Sequence, residues 1–137
     1  MKLPKYRAWG VEYKDDTVKM RYSRDYSSNS ISVFFNLAVE GPAFGQDYAQ
    51  VLMQWTGQTD KDGVEIYEGD IVATFDGSLE ESERLEIKWC GEDGYPAFDV
   101  SPNHMDDCNG LSFHAQNVED FSLKVIGNIY ENPELLK

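Results

Sequence analysis

The chain is poor in cysteine, in long apolar runs and in positive charge, and each shortage narrows what it can be. It has two cysteines, Cys90 and Cys108, in 137 residues. That excludes a disulfide framework and points to small buried hydrophobes or free thiols in a reducing compartment. Apolar runs are only a few residues long, as in Val33-Phe34-Phe35 and Val51-Leu52-Met53. A membrane-spanning helix needs about 20 such residues. The basic start Met1-Lys2-Leu3-Pro4-Lys5 lacks the apolar stretch of a secretory signal, so a cytoplasmic protein is expected. Lys and Arg total 12 against 25 acids, for a net charge of −13. Residues 1–24 hold seven basic residues and three acids, a balance of +4; residues 25–137 hold five and 22, a balance of −17. Binding nucleic acid requires cations that displace phosphate counterions, so direct DNA or RNA binding by the main body is disfavoured. Lys14, Lys19, Arg21 and Arg24 read as a solvated strand face that offsets self-repulsion. The phosphate-cradling patterns G-x-x-x-x-G-K-[ST] and G-x-G-x-x-G are absent, as is the nucleophile elbow G-x-S-x-G.

What is present is core material: 41% hydrophobic and 13% aromatic residues exclude wholesale disorder. Its patterning is that of strands. Tyr6 to Tyr13 mixes aromatic and β-branched residues, and Lys14-Asp15-Asp16 is a turn. Thr17 to Tyr22 alternates, with Val18, Met20 and Tyr22 on one face and Lys19 and Arg21 on the other. Ser23 to Ser30 is a polar loop, Ile31 to Val39 a buried strand and Glu40 to Gly45 a break. Asp47 to Trp55 fits both a helical and a strand period, and the turn chemistry after it favours a strand at its C-terminal end. Leu85 to Trp89 alternates as a half-buried strand. Gly91 to Gly94 is a hairpin turn, and Tyr95 to Val100 is a strand that Pro96 marks as an edge. Leu111 to His114 reads as short and extended, Val118 to Phe121 as one helical turn, Leu123 to Tyr130 as an apolar strand and Pro133 to Leu136 as a terminal helical turn. From Tyr67 onward, strands recur roughly every ten residues, as in a small barrel or sandwich. The expected fold is mainly β and multi-sheet, with few short helical turns. A seam near Gly41 to Gly45 divides an N-terminal β subdomain, 1–45, from a barrel-like region, 46–137, and the two are free to form one compact unit.

The densest local signals lie in "WTGQTDKDGVEIYEGDIV", Trp55 to Val72. Thr59 to Gly63 is a turn, in which Asp side chains bond nearby N–H groups and Gly supplies a positive φ. Val64 to Tyr67 is extended, Glu68-Gly69-Asp70 turns again, and Ile71 to Phe75 is a strand with Ile71, Ala73 and Phe75 on one face and Val72 on the other. Each residue has an architectural use, so the stretch reads as scaffold and not as an active site.

Candidate chemistry is thin. Cys90, His104, Cys108 and His114 are the whole stock of Cys and His, and four such ligands suffice for tetrahedral zinc. Their spacing has neither a C-x-x-C nor an H-x3-5-H pair, so no metal site is assigned, and whether they converge stays open. Asp60 to Glu65 resembles part of a calcium loop, but Gly63 falls too early for D-x-[DN]-x-[DN]-G-x5-E. A thiol nucleophile at Cys108, with His104 or His114 and an orienting Asp106 or Asp107, is a coincidence that any acidic loop offers. Paired carboxylates are unavoidable with 25 acids and carry no information about glycosidase-like chemistry. No catalytic residue, cofactor or metal is expected, and an enzyme is the minority reading. Trp9, Trp55, Trp89 and the other aromatics are mostly core, with a few left to anchor a partner.

Two stretches, "MQWTGQTDKDGVEIYEGDIV" (Met53 to Val72) and "VIGNIYENPELL" (Val125 to Leu136), resemble the YopX family of small phage and prophage proteins. Gln54, Trp55, Thr56, Gly57, Asp60, Lys61, Gly63, Ile66, Tyr67, Glu68, Gly69, Asp70 and Ile71 fit the first motif. Gly127, Asn128, Ile129, Tyr130, Glu131, Asn132, Pro133, Glu134, Leu135 and Leu136 fit the second. Gln58 stands where Leu is common, and Asp62 where Asn is common. The resemblance implies an SH3-like barrel in the C-terminal half, a bacterial host cytoplasm and no transferable catalytic residue. The two motifs are expected to meet, with Asn128 bonding to backbone of the Glu68-Gly69-Asp70 turn and Gly127 allowing close approach. The leading functional expectation is a non-catalytic phage accessory protein that contacts a protein partner or itself. The alternative is an acidic DNA mimic that occupies a host nucleic-acid-binding protein.

Overall fold

Alternation and turn chemistry are realised as eight strands in a computed structural model that describes residues 5–12, 17–25, 51–77, 80–103, 109–115 and 121–137. The expected turn at Lys14 to Asp16, the strand at Ile31 to Val39, the seam at Gly41 to Gly45 and the helical residues Val118 to Asp120 lie outside these. The strands are β1 (Tyr6–Glu12), β2 (Thr17–Tyr22), β3 (Val51–Thr59), β4 (Glu65–Tyr67), β5 (Asp70–Asp76), β6 (Arg84–Trp89), β7 (Phe98–Ser101) and β8 (Phe121–Asn128). Helix α1 covers Gly110–Ala115, and short 3-10 turns cover Ser23–Asp25, Gly91–Asp93 and Pro133–Leu136. The protein is mainly β, with sheets ordered β2-β1-β3-β4 and β7-β6-β5-β8. The chain divides into two compact units, 1–55 and 56–137, with the division inside β3.

In the first unit, β1 pairs antiparallel with β2 on one side and with the start of β3 on the other. The expected solvation of the basic residues of β2 needs correcting. Arg21 is only 6% exposed, whereas Val18 is 53% exposed. The register sets Arg21 opposite Ala8, a small buried residue whose side chain leaves space for the arginine stem. Arg21 is therefore not part of a solvated basic face, while Lys19 and Arg24 are exposed. Trp55 donates its N–H to the Lys5 carbonyl at 3.0 Å, and the Lys5 ammonium lies 4.3 Å from the Trp55 ring centroid.

The second unit centres on β5. This strand pairs antiparallel with β6 and β8, and Ile71, Val72, Ala73 and Thr74 are all buried. A central strand covered on both faces loses strict alternation, which is why its apolar residues run consecutively. A bulge shifts register after Ile71, which opposes Gly127 while Val72 opposes Val125. One of the two four-stranded sheets is a curled half-barrel. Ile66, Val72, Leu85, Ile87, Val100, Leu111 and Leu123 form the core, with Phe98 and Val125 packed against it. Strand β7, just after Pro96, is an edge.

Leu111 to His114 is helical, not extended. Asn109 caps the helix: its Oδ1 accepts the Ser112 N–H at 2.8 Å. Buried Asp99 adds a second acceptor, its Oδ1 lying 3.1 Å from the Leu111 nitrogen. These two side chains satisfy donors that a single-turn helix leaves open.

Candidate functional site

The motif residues divide between turns and strand ends. Gln54 is exposed on β3, followed by half-buried Trp55. Thr56 Oγ1 donates to the Ile66 carbonyl at 2.7 Å and accepts the Gln58 N–H at 3.2 Å, and Gly57 is exposed. Asp60, 6% exposed, accepts three backbone N–H bonds. Its Oδ1 accepts N–H groups from Asp62 at 2.8 Å and Val64 at 2.9 Å, while its Oδ2 accepts the Val125 N–H at 3.0 Å. Gly63, with φ of 82°, donates to the Asp60 carbonyl, and Lys61 donates its N–H to the Leu123 carbonyl. One side chain thus shapes its own turn and ties it to β8.

The second acidic turn works likewise. Asp70, 1% exposed, accepts the N–H of buried Tyr67 at 2.8 Å across half-buried Glu68 and buried Gly69. Gly69, with φ of 87°, donates to the Ile87 carbonyl, and its own carbonyl accepts the Ile129 N–H, both at 2.9 Å. The register places Asp70 opposite Asn128 and Ile71 opposite Gly127, so the two motifs meet.

The contact between them differs from the expected one in detail. Asn128 Oδ1 accepts N–H groups from Tyr130 at 3.0 Å and Glu131 at 2.8 Å, capping the turn that follows it. Gly69 is reached by Ile129 backbone instead. Gly127 makes room for Asn132: a Cβ on it would lie 2.6 Å from Asn132 Oδ1. Tyr130 is half-buried, and Pro133 opens the last 3-10 turn as an exposed residue.

Chemically this arrangement holds backbone. A carboxylate that accepts three amide N–H bonds, as Asp60 does, has its lone pairs directed at fixed donors and is poorly placed to take a substrate proton. Among the described residues no group of three or more His, Cys, Asp or Glu is placed to hold a metal. Cys90 is half-buried, with Sγ 3.7 Å from the Lys88 carbonyl oxygen. His114 lies on α1 with Nδ1 2.9 Å from the Gly110 carbonyl and its ring edge-on to Phe113. His104 and Cys108 lie outside the described residues.

The most distinctive surface feature is on the β6–β7 hairpin, where Trp89 is 45% exposed and Tyr95 is 42% exposed. The Trp89 ring packs edge-on to Phe98, with centroids 5.1 Å apart. It also lies over Gly91, where a Cβ would come within 2.4 Å of the indole nitrogen. Asn109 Nδ2 donates both to Tyr95 Oη and to the Phe98 carbonyl, at 2.8 Å each. Sequence reasoning counted Trp89 with a half-buried strand and singled out no exposed ring. The available signal was position: Trp89 is the last residue of its strand, where alternation no longer guarantees cover.

Comparison with known proteins adds fold and family. The family described as YopX protein matches residues 5–137. No curated protein matches the chain. Among solved structures, the crystal structure of protein EF1440 from Enterococcus faecalis is similar at 24% identity with a TM-score of 0.55, covering 100% of both chains. At that identity the likeness concerns the fold.

Proposed function

The chain belongs to the YopX family, and we propose that it acts as a non-catalytic protein-binding module, an accessory protein of phage or prophage in the cytoplasm of a bacterial host. The observation that carries this reading is the pair of large exposed rings on the β6–β7 hairpin, held in place by Phe98, Gly91 and Asn109. Ordered aromatic side chains are effective contact residues, because little of their freedom remains to be lost on binding. The motif carboxylates support it from the other side, since Asp60 and Asp70 are buried and accept bonds from backbone amides. The test is affinity capture from bacterial lysate on immobilised protein, with Trp89→Ala alongside and light scattering to give the oligomeric state. A reproducible partner that Trp89→Ala loses supports the module. No partner, together with a monomeric profile, refutes it.

A second reading draws on charge. Residues 56–137 contain 19 acids and five basic residues, a balance of −14, which suits mimicry of nucleic-acid phosphate toward a host nucleic-acid-binding protein. Here charge alone carries the contact. Binding to such a protein would vanish at high salt and be indifferent to Trp89. Salt-insensitive binding sinks this reading.

A further inference from the structure

We infer that the β6–β7 hairpin docks a cationic protein segment, with Arg or Lys side chains seated on the exposed rings of Trp89 and Tyr95; this rests on the binding-module reading and names its site and partner class. The rings are linked through Phe98, whose side chain meets Trp89 and whose carbonyl shares Asn109 with the Tyr95 hydroxyl. Phe98 itself packs against the core, so the exposed rings are anchored to the body of the unit.

Charge selects the occupant. With −14 over residues 56–137, this unit repels a second copy of itself and any nucleic acid. It attracts a cationic chain and gives an uncharged one no steering. The hairpin also carries exposed Glu92, whereas Lys88 points to the opposite face of β6 from Trp89 by strand alternation. An aromatic face attracts a guanidinium or ammonium through its quadrupole, most strongly for Trp. The same chemistry recurs within the chain: Lys5 over Trp55 at 4.3 Å, Arg24 over Tyr22 at 4.2 Å and Lys61 over Phe75 at 4.1 Å. Those rings have their cations, and the hairpin rings are exposed to take one from outside.

The test uses the full chain and nona-arginine as the probe, with nona-glutamate as control, by calorimetry and by the Trp89 indole N–H signal in NMR. Expected are saturable binding to nona-arginine, a shift of the Trp89 indole signal and roughly tenfold weaker binding in Trp89→Ala or Tyr95→Ala, each roughly a 1.4 kcal/mol loss. Val64→Ser, which alters an exposed apolar residue elsewhere, should bind as the parent does. Should Trp89→Ala fold poorly, Trp89→Phe and Tyr95→Ala, checked by circular dichroism, carry the comparison. Affinity unchanged from the parent in both ring variants would mean attraction by net charge only and overturns the inference, as does no binding. If nona-arginine fails while lysate capture still depends on Trp89, the cationic partner is wrong and the module stands. If capture fails as well, both fall.

Discussion

Replacing Asp60 with Asn removes one acceptor oxygen and alters almost nothing else in size. The carboxylate now accepts three N–H bonds, two from its own turn and one from Val125 on β8, at 2.8, 2.9 and 3.0 Å. In Asp60→Asn the amide oxygen can still serve the Asp62 and Val64 donors. The new NH2 must then face the Val125 N–H, donor against donor. An unsatisfied buried donor costs about 1–3 kcal/mol. Taking about 2 kcal/mol, and the size of the second unit, the melting midpoint should fall by roughly 8–16 °C. The internal control is Asp62→Asn in the same turn. Asp62 is exposed and its ion pair with Lys124 is long, at 4.0 Å, so that change should stay within about 0.5 kcal/mol. Thermal melts of both variants, with amide hydrogen exchange at Val125, provide the assay. Exchange at Val125 should quicken selectively in Asp60→Asn. Equal midpoints for the two variants, or unchanged exchange at Val125, would show that the buried carboxylate does not tie the turn to β8.

Three further outcomes are expected. Gly127→Ala places a Cβ 2.9 Å from the Asn132 Cβ as well as against its Oδ1; urea unfolding should show a loss of about 1–3 kcal/mol. Adding Asn132→Gly should recover part of that, with a coupling above about 0.5 kcal/mol, and strict additivity of the two changes would contradict the close approach. Asn109→Ala should lower stability by about 1–2 kcal/mol, with Asn109→Ser retaining most of it as a capping residue; equal losses would argue against the cap. Arg84 beside Glu81 holds the Glu81 carboxyl below its ordinary value, chiefly through their hydrogen bond, and Glu81 raises Arg84 in return. A depressed folded value means that the pair favours the folded state above the ordinary Glu range and loses that effect as pH falls through Glu81's lowered value. An NMR titration should place Glu81 below the ordinary range and Arg84→Ala should return it there, while the exposed pair leaves the melting curve unmoved.

Much of the fold was legible because local and global demands agree. Thr17 to Tyr22 and Leu85 to Trp89 alternate and are strands; Gly63 and Gly69 stand at turns that need positive φ; Pro96 precedes an edge strand. The misreadings arise where a distant residue decides. Leu111 to His114 is too short for a period to speak, and its helix depends on Asn109 and on Asp99, 12 residues upstream of Leu111. Arg21 is buried on a strand whose own pattern suggests a solvated basic face, with small, buried Ala8 opposite it in the register. Asn128 caps its own turn because that needs only two residues of chain, whereas reaching the Gly69 turn would have to compete with Ile129 backbone already there.

The candidate surface was harder to read for a related reason. Burial of an aromatic ring depends on what the chain lays over it, and composition cannot say this. Trp55 and Trp89 both end or interrupt alternating strands, yet Trp55 is half-buried beneath the Lys5 ammonium while Trp89 is 45% exposed. The polar residues show the converse. Among the described residues, most carboxylates are exposed or half-buried and mean little. Among the described residues the buried ones, Asp60, Asp70 and Asp99, each accept bonds from backbone N–H groups at a turn or helix start. Burying a charge without such donors would be too costly to keep, so their positions mark where the backbone lacks partners of its own. Within the motifs the buried acids Asp60 and Asp70 thus answer a backbone need, and the candidate surface falls to residues outside the motifs.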